Sequence, residues 1–280
     1  MPNIAFVSGK WSAISAAKVS VEDRGFQFGD GIYELIRTYG DRVFHLHEHL
    51  SRLEASAKEI EITLPYSAAQ LEKIIRLGCR KSGYTDTKIY IQVTRGTAPR
   101  LHSFPKKVTP TVVMTFRAFE PLPVKLREEG VAIISTPDIR WARCNVKSLN
   151  LLPNVMAREQ ALRSGAFEAV FIRDGKVTEG AGSNLFAVIG KKIITPPAGP
   201  YILCGITREV VLQLAKKNGL EIMEKDLKLP QLYSAQELFL TGTTVEVLPV
   251  IRLNGRAIGA GRPGEKTAFL YRVFQQQQMT

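Results

Sequence analysis

A chain of 280 residues, 45% apolar and 23% charged, has the composition of an ordinary globular protein and enough length for two domains. Its net charge of +12 comes from scattered Lys and Arg without the stacked aromatic pattern of an RNA-binding sheet, which favours anionic small molecules over nucleic acid. No apolar run is long enough to cross a bilayer, the opening MPNIAFVSGKW lacks the features of a signal peptide, and the widely spaced Cys79, Cys144 and Cys204 exclude a disulfide framework, so a cytoplasmic protein is expected.

The chain opens on a strand, IAFVSG, and a hairpin, IYELIRTYGDRVFHLH, turning at Gly40–Asp41. A helix follows in HEHLSRLEASAKEI, where Leu50, Leu53, Ala57 and Ile60 recur at helical spacing. His45, His47 and His49 alternate just before it. With the first two ending a strand and the third starting the helix, they need not converge, and no metal site is expected. Ser67 and Gln70 form a capping box for a second helix through Lys81, followed by strands KIYIQVTRG and TPTVVMTFRAF. Two prolines in FEPLPVKL mark a linker, predicted at 120–125 between an N-terminal domain, 1–119, and a C-terminal domain, 126–280.

The second part begins with strand VAIISTPDI and a helix around NVMAREQALRSG that ends at Gly165. Two hairpins turn at Asp174–Gly175 and Gly190–Lys191, and a helix in TREVVLQLAKKNG stops at Gly219. Strand ELFLTGTT, a hairpin around residues 253–255 and a final helix complete the chain. Strands and helices mix without regular alternation, which predicts two α+β domains rather than a doubly wound sheet.

Three features share one chemical logic. Lys147, in CNVKSLNLL, follows a partly apolar stretch, where a lysine holds its proton less tightly and can act as an amine nucleophile; otherwise such a side chain extends to solvent. Glu179, in VTEGAGSN, is either a turn carboxylate or the partner of a cationic ring nitrogen. Gly205, Ile206 and Thr207 stand at a helix start that can bind an anion, unless Thr207 is simply an N-cap. TGTT offers Gly242 and Thr243 after a strand, and Arg52 could add a charged contact. A fourth feature is the loop RGTAPRLH, whose Arg95, Arg100 and His102 no hairpin turn requires. It is either a solvated loop or a carboxylate-binding one.

An amine, a carboxylate for a pyridinium and a phosphate cup together describe pyridoxal 5′-phosphate chemistry. In order and spacing, DRGFQFGDGIYE, NVKSLN, VTEGAGSNLF, GITREVV and TGTT closely resemble the fold-type IV aminotransferases, almost end to end. Within that group RGTAPRLH resembles the carboxylate-binding loop of the D-amino acid aminotransferases.

The resemblance implies a two-domain α+β fold with the cofactor in the C-terminal domain and a homodimer whose active sites lie at the subunit interface. It implies that Lys147 bonds the cofactor and moves the substrate's Cα proton, and that Glu179 pairs with the ring nitrogen. Arg52, Ile206, Thr207 and Thr243 would hold the phosphate. Tyr33, Arg100 and His102 would hold the substrate carboxylate. The reaction implied is transamination between a D-amino acid and a 2-oxo acid. Ala181 and Gly182 stand where such relatives often carry a serine run, and Gly242 replaces a hydroxyl residue, which leaves room for activity on L-substrates. The alternatives on the same fold are a branched-chain L-amino acid aminotransferase and an aminodeoxychorismate lyase-like enzyme.

Overall fold

The computed structural model describes residues 3–279, so Met1, Pro2 and Thr280, at the outer ends of the two expected domains, lie outside the described residues. Contacts divide the chain into one unit of Met1–Glu120 with Val146–Asn150 and a second of Pro121–Asn145 with Leu151–Thr280. The excursion of Val146–Asn150 into the first unit is absent from the sequence reading, which runs the second domain unbroken from 126 to 280.

The first unit holds strands β1 (Ile4–Val7), β2 (Lys10–Ala13), β3 (Gly31–Tyr39), β4 (Arg42–Val43), β5 (Thr87–Thr94) and β6 (Thr111–Ala118). They form one antiparallel sheet in the order β2-β1-β6-β5-β3-β4. Helices α1 (Arg24–Phe28), α2 (Leu46–Glu59) and α3 (Ala68–Ser82) accompany it. The sheet's buried face carries Ile32, Ile36, Ile89, Ile91, Met114 and Phe116, and the helices add Leu53, Leu71 and Ile75. The capping box of α3 forms as predicted, with Ser67 and Gln70 each satisfying the other's backbone N–H. One histidine assignment differs. His47 lies inside α2, and His45 is its left-handed N-cap at φ 44°, because the strand already ends at Val43.

The second unit begins with a short helix, α4 (Val124–Glu129), so the last two residues of the predicted linker are helical. After it come β7 (Val131–Pro137), α5 (Leu152–Arg163), β8 (Glu168–Arg173), β9 (Lys176–Gly180), β10 (Asn184–Ile189) and β11 (Lys192–Thr195). Then follow α6 (Ile206–Lys217), β12 (Ile222–Glu224), β13 (Leu227–Lys228), α7 (Leu229–Tyr233), β14 (Glu237–Gly242), β15 (Glu246–Leu253), β16 (Arg256–Ala257) and α8 (Glu265–Met279). These strands make a single mixed sheet in the order β12-β11-β10-β14-β15-β7-β8-β9-β13, with β16 on β15. Leu185, Leu238, Leu240, Leu248 and Val250 pack on one of its faces with Leu232 and Leu253. The β8–β9 hairpin turns at Asp174 and Gly175, both at positive φ, the conformation that a tight two-residue turn demands.

Candidate active site

Lys147 is fixed by its backbone. The free edge of β3 pairs with the lysine segment: Tyr33 N–H donates to Lys147 O at 2.9 Å, and Leu149 N–H donates to Gly31 O at 3.0 Å. Lys147 N–H donates to Ser56 Oγ on α2 at 3.2 Å. Gly31 has no room for a Cβ, which would lie 2.6 Å from Val93 O on β5 and 2.8 Å from the Leu149 side chain. The Lys147 ammonium then rests 4.3 Å from the centre of the Tyr33 ring. Tyr33 in turn packs 5.8 Å from Tyr90, whose hydroxyl is pushed up to about 12 by burial and by the neighbouring Tyr33.

Beside Tyr33 the chain places Glu34, fully buried at 0% exposure. Its carboxylate accepts from Arg52 Nε at 2.7 Å and Arg52 Nη2 at 2.9 Å, and contacts His49 Nδ1 at 2.7 Å. Burial opposes its ionisation, but Arg52 and His49 outweigh that and hold the carboxyl at about 2. Burial pushes His49 below its ordinary value, and its Nε2 has no hydrogen-bond partner among the described residues. His49, Arg52 and Ser56 stand at i, i+3 and i+7, so one face of α2 serves both the guanidinium and the lysine.

In the second unit Glu179, on β9, is 6% exposed. Arg140 Nη1 donates to its Oε1 at 2.5 Å, while Asn184 Nδ2 and Leu203 N–H donate to Oε2 at 3.1 and 3.0 Å. Arg140 is itself aimed by Asp138, which accepts from its Nε at 2.9 Å and its Nη2 at 2.8 Å. Burial works against the Arg140 charge, yet Asp138 and Glu179 raise its proton affinity above the ordinary value. Asp138 is held at about 2 against burial by Arg140 and Arg173.

Asn184 links Glu179 to the start of α6. Its Nδ2 also donates to Leu203 O at 3.0 Å, and its Oδ1 occupies the space that a Cβ on Gly205 would need. Gly205 is the N-cap of α6 and makes no side-chain cap, which leaves Ile206 and Thr207 N–H in the first turn, where no intrahelical acceptor reaches them. Thr207 is therefore inside the helix rather than its cap. Thr243 lies in the turn after β14, and Thr241, paired with Asn184 across β10 and β14, has a buried hydroxyl without a partner among the described residues.

Arg100 and His102 are exposed and come together on one ring: the Arg100 guanidinium lies 4.6 Å from the centre of Phe28, and the His102 ring lies 5.6 Å from it. Tyr33 packs instead with Lys147. Arg95 is a scaffold residue, donating to Asp30, Ile60 O and Glu61 O. Sequence reasoning missed Glu34, His49, Arg140 and Asn184. A signal existed for Glu34, which shares the buried face of β3 with Ile32 and Ile36, where a charge needs partners.

Taken by their chemistry, these groups fit pyridoxal 5′-phosphate: an amine, a carboxylate held by a guanidinium, an uncapped helix start and the half-buried Arg52. Comparison with known proteins agrees. The family model for class IV aminotransferases matches residues 31–253. A D-alanine aminotransferase of Bacillus licheniformis is 45% identical over 265 residues, 93% of this chain and 92% of the relative. Another, of Staphylococcus epidermidis, is 41% identical over 96% of both chains. Among solved structures, the Escherichia coli branched-chain amino acid aminotransferase superposes with TM-score 0.94 at 28% identity, covering 99% of this chain and 94% of that one. The T.th. branched-chain enzyme complexed with N-(5′-phosphopyridoxyl)-L-glutamate gives TM-score 0.91 at 28% identity, over 99% of this chain and 94% of that one. The chain belongs to the class IV aminotransferase family and has the α+β fold of the fold-type IV enzymes.

Proposed function

We infer that this chain catalyses transamination between a D-amino acid such as D-alanine and a 2-oxo acid such as 2-oxoglutarate or pyruvate, with pyridoxal 5′-phosphate as cofactor. The observation that carries this reading is near-full-length identity of 45% and 41% to D-alanine aminotransferases, against 24–29% to branched-chain enzymes that share the fold. When bound, the cofactor supplies a carbonyl carbon for the substrate amine and a ring that takes up the electrons of the broken Cα–H bond.

The remaining roles belong to this chain's own residues. Lys147 would bond the cofactor at rest, then take the Cα proton at Nζ and return it on the same face. Its backbone bonds to Tyr33 and Ser56 fix where that amine starts. Glu179 would accept from the ring nitrogen, oriented by Arg140 and Asn184. Arg52, aimed by Glu34, would hold phosphate oxygens together with the N–H groups of Ile206 and Thr207 and the Thr243 hydroxyl.

Tyr33, Arg100 and His102 would hold the substrate carboxylate. Their placement bears on handedness. With the amine on the cofactor and Cα–H aimed at Lys147, only the carboxylate and side chain remain to be placed, and exchanging their pockets inverts the accepted enantiomer.

We also propose a cytoplasmic homodimer in which the Arg100–His102 loop of one copy serves the other. Two features support it: both side chains are exposed, and so are the adjoining Phe26, Leu101 and Phe104. Free Cys79, Cys144 and Cys204 suit a reducing compartment.

The test is a steady-state assay of D-alanine with 2-oxoglutarate, reading pyruvate formed, beside L-leucine under the same conditions. Preference for D-alanine supports the reading; turnover of L-leucine alone would replace it with the branched-chain one.

A further inference from the structure

The RGTAPRLH loop is strapped to its own unit by the short segment around α1. At its base Arg24 N–H donates to Gly96 O at 2.9 Å, and Ala98 N–H donates to Glu22 O at 3.2 Å. Asp23 caps α1 through Gly25 N–H at 2.8 Å and accepts from the Thr94 hydroxyl at 3.0 Å. Higher up, the buried Arg24 reaches across. Its Nη1 donates to Leu101 O at 2.6 Å and to Ser103 O at 3.4 Å, the carbonyls on either side of His102. Nε of the same guanidinium donates to Asp30 Oδ2 at 2.7 Å, so Arg24 cannot swing away from that carboxylate without losing a charged pair.

The helix ends on Phe28, and three groups meet that ring. Arg24 lies 4.8 Å from its centre, Arg100 lies 4.6 Å from it, and the His102 ring lies 5.6 Å away at 50°. Gly29 then turns the chain at φ 68° beside the Asn150 side chain, where a Cβ would lie 2.8 Å from Oδ1. Gly29 thus lies against the segment that carries Lys147.

An exposed arginine alone samples many rotamers and loses that freedom on binding. An aromatic face that attracts the guanidinium removes part of the loss beforehand. We propose that Phe28 and Arg24 are positioning residues: Phe28 is the platform on which Arg100 and His102 are set, and Arg24 clamps the backbone around His102. Through them the pair sets recognition of the D-substrate's carboxylate. The proposal rests on the reading of Arg100 and His102 as carboxylate-binding residues.

The test compares Phe28→Leu, Phe28→Tyr and Arg24→Gln in the holoenzyme, alone and combined with Arg100→Ala. The readouts are KM and kcat for D-alanine, the dissociation constant of D-lactate, a carboxylate that cannot transaminate, and the melting temperature. Phe28→Leu keeps apolar volume but removes the ring's attraction for the cation. It is expected to raise KM and the D-lactate constant about threefold with kcat little changed. Phe28→Tyr restores both. Arg24→Gln, which leaves the platform intact but weakens the clamp, raises KM about tenfold. Phe28→Leu costs less in the Arg100→Ala background than alone, because part of its effect runs through Arg100, whereas Arg24→Gln, which acts on the backbone around His102, keeps its effect there. Wild-type KM in Phe28→Leu and Arg24→Gln, with KM raised in Arg100→Ala, overturns the proposal alone. Wild-type KM in Arg100→Ala overturns the proposal together with the reading beneath it.

Discussion

Glu34→Gln isolates the buried group closest in sequence to the Tyr33–Lys147 contact. The substitution keeps the shape but removes the charge that both Arg52 and His49 face. It also puts an amide NH2 where one of those donors needs an acceptor. Holding the carboxyl at about 2 instead of its ordinary 4.5 corresponds to roughly 3 kcal/mol of native-state stabilisation. Removing one partner of a buried ion pair has a similar cost, about 3–5 kcal/mol. Because the folded carboxyl titrates below the unfolded one, this stabilisation is complete above 4.5 and is lost as the pH falls toward 2. His49 acts in the same direction. Burial lowers its proton affinity, so its neutral form favours the fold above its ordinary 6.5, and that contribution declines below it. Urea unfolding at pH 7.5 and at pH 3.5 measures both effects. The variant should lose about 3 kcal/mol at the higher pH, and the carboxylate part of the acid-induced decline should disappear. A loss under about 1 kcal/mol, with the acid decline unchanged, would refute the assignment of that stabilisation to Glu34.

Three further outcomes are expected. Lys147→Ala should leave no measurable transamination in the coupled pyruvate assay, and appreciable residual turnover would remove Lys147 from the chemistry. Glu179→Gln should retain the circular-dichroism spectrum while lowering kcat about a hundredfold, since the ring nitrogen loses its charged acceptor. Gly205→Ala pushes a methyl group into Asn184 Oδ1 and disturbs both Glu179 and the helix start, so titration of the apoprotein with pyridoxal 5′-phosphate should show about tenfold weaker binding.

Much of the architecture is legible in the chain because local chemistry and final fold agree. The Ser67–Gln70 box, the Asp174–Gly175 turn and Gly219 after α6 mark element ends that form where the pattern places them. The hairpin around 253–255 marks the end of β15, but its central place in the sheet is hidden, because Pro249 in its middle argues against a central strand. The sheet accepts it because pairing with β7 starts only at Val250, beyond the missing N–H. The lysine segment is hidden for another reason: pairing residues 147–149 with 31–33 joins stretches more than a hundred positions apart, and no local propensity records that. Among the candidate residues, Glu179, Ile206 and Thr207 stand out through their glycine neighbours. Arg140 does not, since PDIRWARC has no periodicity and its partner Glu179 is 39 positions away. Arg95 illustrates the opposite case: a charged loop residue whose partners are all structural.

The central claim is that this chain deaminates D-amino acids through a lysine-bound pyridoxal 5′-phosphate. The most direct measurement mixes the purified protein with D-alanine, and separately with L-leucine, without any oxo acid, and follows the cofactor's visible absorbance. Bleaching by D-alanine, with L-leucine slow or inert and pyruvate appearing in proportion, is the predicted result. Bleaching by L-leucine alone would keep the fold and Lys147 but contradict the assignment of Arg100 and His102 to the D-substrate carboxylate.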